Sequence, residues 1–435
     1  MRITQISNKF LQWFLLICVA LLSVHFKTGV SSGVGEINII ALGLRATLWF
    51  GALFICIFFI KPSLFFIKFS LLKANKVIVI SSWPLFFFFT LVGTMATVIS
   101  YGVNLSTRDL SEFVEVAGCF ALVLVVYNIS RLDPMFTKKI LLILLFFPAV
   151  QVLGVLMVPE ELAQKLGVND HYDFVWYFGY GNRFVGLLGN ANSVSVGACV
   201  SFGILFVYLV YGDKINLKLW PIIAITTTIL YLFLIIGMIL LTGSRASILS
   251  VLVMSLIVFS YSPVRHKFKL SIFALILSVM LIFYGVETGL FTIILERIGQ
   301  QDGRVFIWRY YVEQLALNPL GYGLAFENVI DVTKVKAFGV DSVRLPPHNV
   351  ILEVGVYSGL LGIFLTIVSL ISMTKIMKPL LRAPAYGLNI WYKGACVAWV
   401  GLLTNYFFGS LIFGSWYFSI LTGVILSAKA LIKKE

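Results

Sequence analysis

The chain is cut into a series of apolar stretches, each about as long as a bilayer is thick, with its charged residues pushed into the segments between them. These stretches fall at about 10–26, 37–60, 77–100, 112–130, 139–158, 185–211, 219–241, 245–262, 268–285, 348–374, 388–409 and 412–430. About 20 apolar residues carry a helix across the hydrocarbon, so the pattern predicts an all-α polytopic membrane protein of about 12 transmembrane helices. A soluble domain is near one quarter charged; this chain is 60% hydrophobic and 12% charged, which excludes that class. The first stretch has a basic start, as a signal peptide has, but no small-residue cleavage site follows it and more spans do, so it reads as the first helix. The five cysteines all sit in apolar runs and are odd in number, which predicts no disulfide framework. No linker, low-complexity tract or internal repeat divides the sequence, and residues 1–435 read as a single membrane domain.

Lysine and arginine set the orientation, because they collect on the cytoplasmic flanks of spans. With the N-terminus inside, the inner segments hold Arg2, Lys9, Lys61, Lys68, Lys73, Lys76, Arg131, Lys138, Lys139, Lys214, Lys218, Arg265, Lys267, Lys269, Lys375, Lys378, Arg382, Lys393, Lys429, Lys433 and Lys434. Of the acids, only Asp133, Asp213 and Glu435 join them. Both termini are therefore expected in the cytoplasm. The net charge of +14 is a topology signal, not a nucleic-acid surface. Two outer segments are long, 159–184 and 286–347. The larger contains "GRVFIWRYYVEQLALNP", whose Val305, Trp308, Val312, Leu315 and Ala316 recur at helical spacing. They predict an amphipathic helix lying across the outer opening of the bundle; long structured loops are usually functional.

Three polar features fall on this outer face, although they lie far apart in sequence. The first is "GNRFVGLLGNANSVSVG" (181–197), where Arg183 precedes a Gly- and Asn-rich helix start that includes Asn192. The second is the tight turn "LTGSRASIL" (241–249), in which Gly243 and Ser244 place Arg245 at a helix N-terminus. Free N–H groups beside a guanidinium suit an anionic oxygen cluster such as phosphate or pyrophosphate. An outer arginine also serves simply to anchor a helix at the headgroups by snorkelling. The third is "LPPHNVILEVGVYSGLLG" (345–362). Pro347 suits the first helical position, so His348 is expected in the first turn, where the positive end of the helix dipole disfavours imidazolium. A neutral imidazole is a competent general base; a capping or interfacial histidine is the alternative. Asn349 and Glu353 share a helical face, and Asn349 is a candidate partner for that carboxylate within the apolar span.

Carboxylate pairs of the Asp-x-Asp type, His or Cys at metal spacing, phosphate loops and Gly-rich dinucleotide turns are missing from the sequence. The first outer segment, 27–36, offers one acid, Glu36. The expected chemistry therefore uses no metal and no cofactor, with arginines neutralising a leaving pyrophosphate.

The run His348-Asn349, nine residues, Gly359, two residues, Gly362 resembles the His-[Asn/Ser/Gln]-x9-Gly-x-x-Gly signature of the O-antigen ligase and polymerase superfamily. "RASIL" inside its "TGSR" turn is similar to that family's Arg-x3-Leu element. "GLLGNANSVSVG" and "GR…W…NPLGYG" (303–323) resemble its Gly/Asn-rich segment and its large outer loop. The likeness spans roughly 180–365. It implies a GT-C-type, metal-independent, inverting glycosyltransferase in the bacterial inner membrane, with its active site on the periplasmic face. The donor implied is a glycan on undecaprenyl pyrophosphate and the acceptor lipid A-core, as in a ligase, with membrane lipid around and no nucleic-acid partner. Carried over by motif, Arg183 and Arg245 would bind the pyrophosphate and His348 would activate the acceptor hydroxyl. Arg304 from the large loop would add to the donor contacts, with Asn349, Asn192, Ser244 and Glu353 in support. Arg45 matches no motif but would add donor charge near the outer end of its span. An O-antigen polymerase, with the same donor and a glycan acceptor, shares much of this pattern. From another class, a flippase for lipid-linked glycans is the rival, although transporters of this size usually show repeated halves.

Overall fold

The computed structural model describes residues 71–103, 107–157, 178–179, 183–184, 186, 191–211, 221–263, 303–329, 347–408 and 415–428, with single residues at 9–17, 271 and 279. The expected spans at 10–26, 37–60 (with Arg45) and 268–285 lie wholly or largely outside the described residues. Helices α1 (Leu71–Tyr101), α2 (Thr107–Leu132), α3 (Pro134–Leu145) and α4 (Phe147–Met157) come first. A two-residue antiparallel ladder follows, β1 (Phe178–Gly179) with β2 (Arg183–Phe184). Then come α5 (Ala191–Tyr211), α6 (Pro221–Leu241), α7 (Arg245–Tyr261), α8 (Gly303–Leu317), α9 (Val350–Arg382), α10 (Asn389–Tyr406) and α11 (Trp416–Ser427).

Among the described residues, four helices are long and apolar enough to cross a membrane: Ala74–Tyr101, Pro134–Leu156, Ala191–Tyr211 and Val350–Arg382. The run expected at 139–158 lies in the span Pro134–Leu156, formed by α3 and α4 joined through Phe146, whose backbone stays in the right-handed helical region. Asp133 caps α3, its carboxylate accepting the Met135 N–H at 3.0 Å, and Pro134 takes the first helical position, where no amide proton is needed. Helix α5 is apolar on every side and buried along nearly its whole length, as a helix with no polar stripe must be. It packs on α10, and α10 on α7; α9 packs on α1, and α11 on α2.

Polar contacts show which helix ends lie together. Lys76 at the start of α1 donates to the carbonyls of Leu426 (2.5 Å) and Ala428 (2.8 Å), at the end of α11. Lys393 at the start of α10 donates to Leu381 O near the end of α9 (2.7 Å) and stands 4.7 Å from the centre of the Tyr211 ring, at the end of α5. The Tyr211 hydroxyl meets Ser262 at 3.0 Å, just past the end of α7. The last carbonyls of a helix lack intrahelical donors and carry its negative end, so an ammonium satisfies both needs. This end of the bundle is sewn by lysines. The opposite end therefore holds the starts of α5, α7 and α11 and the ends of α1 and α10.

Helix α9 is not the continuous span its apolar run suggests. It extends on to Arg382 and is broken at Gly359 (φ 68°, ψ −166°). Bilayer-depth backbone outside a helix must find its partners within the protein. Here the segment after α8 supplies them: Leu360 N donates to Pro319 O (2.9 Å) and Tyr322 N to Val356 O (2.7 Å). Leu324 N then reaches Thr94 Oγ1 on α1 at 2.9 Å, so the same segment ties α9 to α1. Only glycine fits at 359. A Cβ there would overlap Pro319 O and stand 2.5 Å from Leu320 C, on a backbone that L residues avoid.

A graded glycine series checks this interlock. Gly359→Ala is expected to destabilise by about 2–4 kcal/mol, combining left-handed strain with overpacking. Gly355→Ala, whose new methyl meets the flexible Leu315 side chain, should cost less; Gly237→Ala, with open space around it, should be neutral or stabilising. Thermal unfolding of the three variants in detergent reads the order directly. Equal midpoints for the 359 and 237 variants would contradict it.

Candidate active site at the helix-start end

Helix α7 begins at Arg245, as the turn sequence predicted, and Arg245 is exposed there. Ser244 holds the N-cap position and is buried, yet its side chain makes no capping bond. Its oxygen is taken instead by a chain from another helix. Asn405 Nδ2 donates to Ser247 Oγ at 2.6 Å, and Ser247 Oγ donates to Ser244 Oγ at 3.0 Å. The three side chains form one buried polar chain that ends beside Arg245. Sequence reasoning missed Asn405 and Ser247. The available signals were the Ser244–Ser247 spacing of three and a lone amide near the end of an apolar run.

The second half of the site is the start of α9. His348 is not in the first helical turn. The helix starts at Val350, Asn349 is its N-cap, and His348 precedes the cap with φ 49°. Asparagine is among the strongest N-caps; Asn349 Oδ1 accepts the N–H of Ile351 (3.0 Å) and of Leu352 (3.3 Å). Capping uses Asn349 Oδ1, so the expected pairing with the Glu353 carboxylate would draw on the Nδ2 donor. Glu353 is buried in the first turn, its N–H donating to Asn349 O at 2.9 Å. Among the described residues, His348 is the non-glycine residue with positive φ, a conformation that costs about 1–2 kcal/mol and persists only where neighbours enforce it.

Those neighbours come from α8. The helix forms as expected over Gly303–Leu317, but its buried stripe is Ile307, Tyr311 and Leu315. Of the predicted face, Leu315 is buried and Trp308 flanks the stripe, while Val312 and Ala316 are exposed. The reason is the i, i+4, i+8 spacing of one isoleucine, one tyrosine and one leucine against the first half of α9. The helix lies along α9 and is pinned at both ends. Trp308 Nε1 donates to Pro347 O at 2.9 Å, and the Tyr322 hydroxyl, just beyond its far end, meets Gln314 Oε1 at 3.2 Å. Burial, with Tyr101 and Tyr310 nearby, pushes the Tyr322 phenol up to about 12, so it remains a donor.

Val350, two residues after His348, lines one apolar cavity with Leu403 and Phe418, and Asn405 lies two residues beyond Leu403. Arg183 sits in β2 and Arg304 in the first turn of α8, one turn before Trp308; their side chains are outside the described residues. Strand β2 packs on α6, whose end leads into the Thr242–Ser244 turn. Asn192 is exposed in the first turn of α5, which starts at Ala191 and not at 185. Arg183 thus opens β2, Arg245 opens α7, Arg304 lies in the first turn of α8 and His348 stands just before α9.

A family model described as O-antigen ligase matches residues 230–367. The match runs from within α6 to just past the break in α9, and so takes in Arg245, Arg304, His348, Asn349 and Glu353 but not Arg183 or Asn192. No curated protein matches the sequence. Over residues 230–367 the chain is similar to the O-antigen ligase family.

Proposed function

We propose that this protein is an O-antigen ligase: an inverting glycosyltransferase that moves a glycan from undecaprenyl pyrophosphate onto lipid A-core, without a metal or cofactor. It is a GT-C-type protein of 12 spans in the inner membrane, termini in the cytoplasm, with its site on the periplasmic face. Two observations support the reading: a left-handed histidine mounted just before α9 and a start of α7 without a side-chain cap. Arg245 stands at that start, and the buried polar chain from Asn405 ends beside it. The family match covers both halves.

In this reading the donor diphosphate lies against the start of α7. Its oxygens take the Arg245 guanidinium and the Ser244 hydroxyl, with Arg183 and Arg304 as further cationic partners. A helix N-terminus favours anionic oxygen, and a capping side chain would have competed for the same N–H groups. The acceptor hydroxyl gives its proton to the His348 imidazole as its oxygen bonds to the anomeric carbon from the face opposite the leaving group. The bond from that carbon to the pyrophosphate oxygen breaks, and the arginines hold the charge that develops there. Asn349 and Glu353 fix the start of α9 on which His348 is mounted. Lysines at the other end of the bundle neutralise helix carbonyls, which leaves the helix-start end as the one suited to an anionic donor.

His348→Ala should abolish transfer in a purified assay while donor binding persists, because it removes only the proton acceptor. Arg245→Ala should weaken donor binding by about 2–4 kcal/mol if the guanidinium contacts the phosphates; Ser244→Ala should cost less, about 1 kcal/mol for one hydrogen bond. Titration with a synthetic polyprenyl-pyrophosphate glycan measures all three. Chelator treatment should leave turnover unchanged, and strict dependence on a divalent ion would defeat the metal-free mechanism. In a deletion strain the lipopolysaccharide ladder separates the readings. Loss of all capped core supports the ligase, core bearing a single repeat indicates the polymerase, and glycan trapped on the inner leaflet indicates a flippase.

A further inference from the structure

The indole of Trp308 ties α8 to the residue before His348. Its N–H meets Pro347 O at 2.9 Å, across 39 residues of chain, and the accepting carbonyl belongs to the peptide unit that begins His348. A peptide unit is planar, so holding that oxygen fixes the plane on which φ of His348 turns. On the other side Asn349 is clamped by its two capping bonds, with its own backbone extended (φ −153°, ψ 118°). His348 is thus gripped from both flanks in a left-handed conformation. The grip is rigid, because α8 is seated by Ile307, Tyr311 and Leu315 and fastened beyond its end by Tyr322. Indole donates and never accepts, so the bond has one sense only.

We propose that Trp308 is a positioning residue for the transfer step: its N–H holds the Pro347 carbonyl so that His348 keeps the backbone conformation from which its ring takes the acceptor proton. The inference rests on the reading of His348 as proton acceptor. Without the bond, His348 relaxes toward negative φ, the Cα–Cβ direction swings, and the imidazole leaves the acceptor while the arginine end of the site is untouched. A residue that merely anchored the loop would disturb stability and donor binding together with turnover. A positioning residue disturbs turnover alone.

The test uses the full chain in nanodiscs with a synthetic polyprenyl-pyrophosphate glycan and its acceptor. Trp308 is replaced by benzothienylalanine, which keeps the shape of indole and substitutes sulfur for the N–H. Trp308→Phe serves as the genetically encoded counterpart and His348→Ala as the reference. The expected result is a fall in kcat of about tenfold or more, matching release of the left-handed strain. KM for the donor should stay within about twofold and the unfolding midpoint should not move. Retention of wild-type kcat by the benzothienylalanine protein overturns the proposal, as does a fall in kcat accompanied by an equal loss of donor affinity or a lower midpoint. If His348→Ala is itself fully active, the reading of His348 is what fails. If His348→Ala is inactive and the Trp308 variants turn over normally, only the role of Trp308 fails.

Discussion

Two backbone hydrogen bonds at the break in α9 hold the rest of the site in place. Leu360 N to Pro319 O and Tyr322 N to Val356 O repair a helix that would otherwise leave bare amide groups within the membrane. They also dock the large outer loop onto the bundle. Because Pro319 follows directly from α8, the repair sets where α8 lies, and through Trp308 it sets the backbone before His348. Thr94 extends the same contact to α1. The outer loop is therefore a structural part of the bundle, and its glycines are placed by the space available: Gly321, Gly323 and Gly359 all have positive φ and neighbours where a Cβ would stand.

The two ends of the bundle are chemically unlike. At one, ammonium groups of Lys76 and Lys393 satisfy the last carbonyls of α11 and α9. At the other, α7 starts without a side-chain cap, whereas α9, broken at Gly359, starts with a full one. That difference between two helix starts is informative. Asn349 consumes the amides at the start of α9 and makes that helix a mount for His348. Ser244 leaves those of α7 unmasked next to Arg245, and buried polar groups from α10 hold its hydroxyl oriented. In the proposed reading the capped start supports the proton acceptor and the uncapped one suits the anion.

How much of this was legible in the sequence depends on the length scale of the signal. Long apolar runs gave the helices α5, α6, α7, α10 and α11 to within a few residues, because hydropathy over about 20 residues averages out local detail. The same averaging hid the break at Gly359, which has apolar residues on both sides. The amphipathic helix of the outer loop was legible as a helix, but its buried face was misassigned, since Tyr311 and Ile307 outcompete Val312 for the contact with α9. His348 was found by its neighbours and misplaced by one turn: the two prolines carry the chain up to it, and Asn349 caps better than histidine. The relay through Ser247 and Asn405 joins residues 158 apart, and no local pattern announces it.

The most direct measurement is a structure of the protein with a non-transferable donor, a polyprenyl phosphonate analogue of the pyrophosphate-linked glycan. The account predicts the diphosphate group against the start of α7, in contact with Arg245 and Ser244, with the anomeric carbon on the side of His348. A diphosphate bound at the lysine end of the bundle, or one with His348 turned away from the sugar, would contradict it.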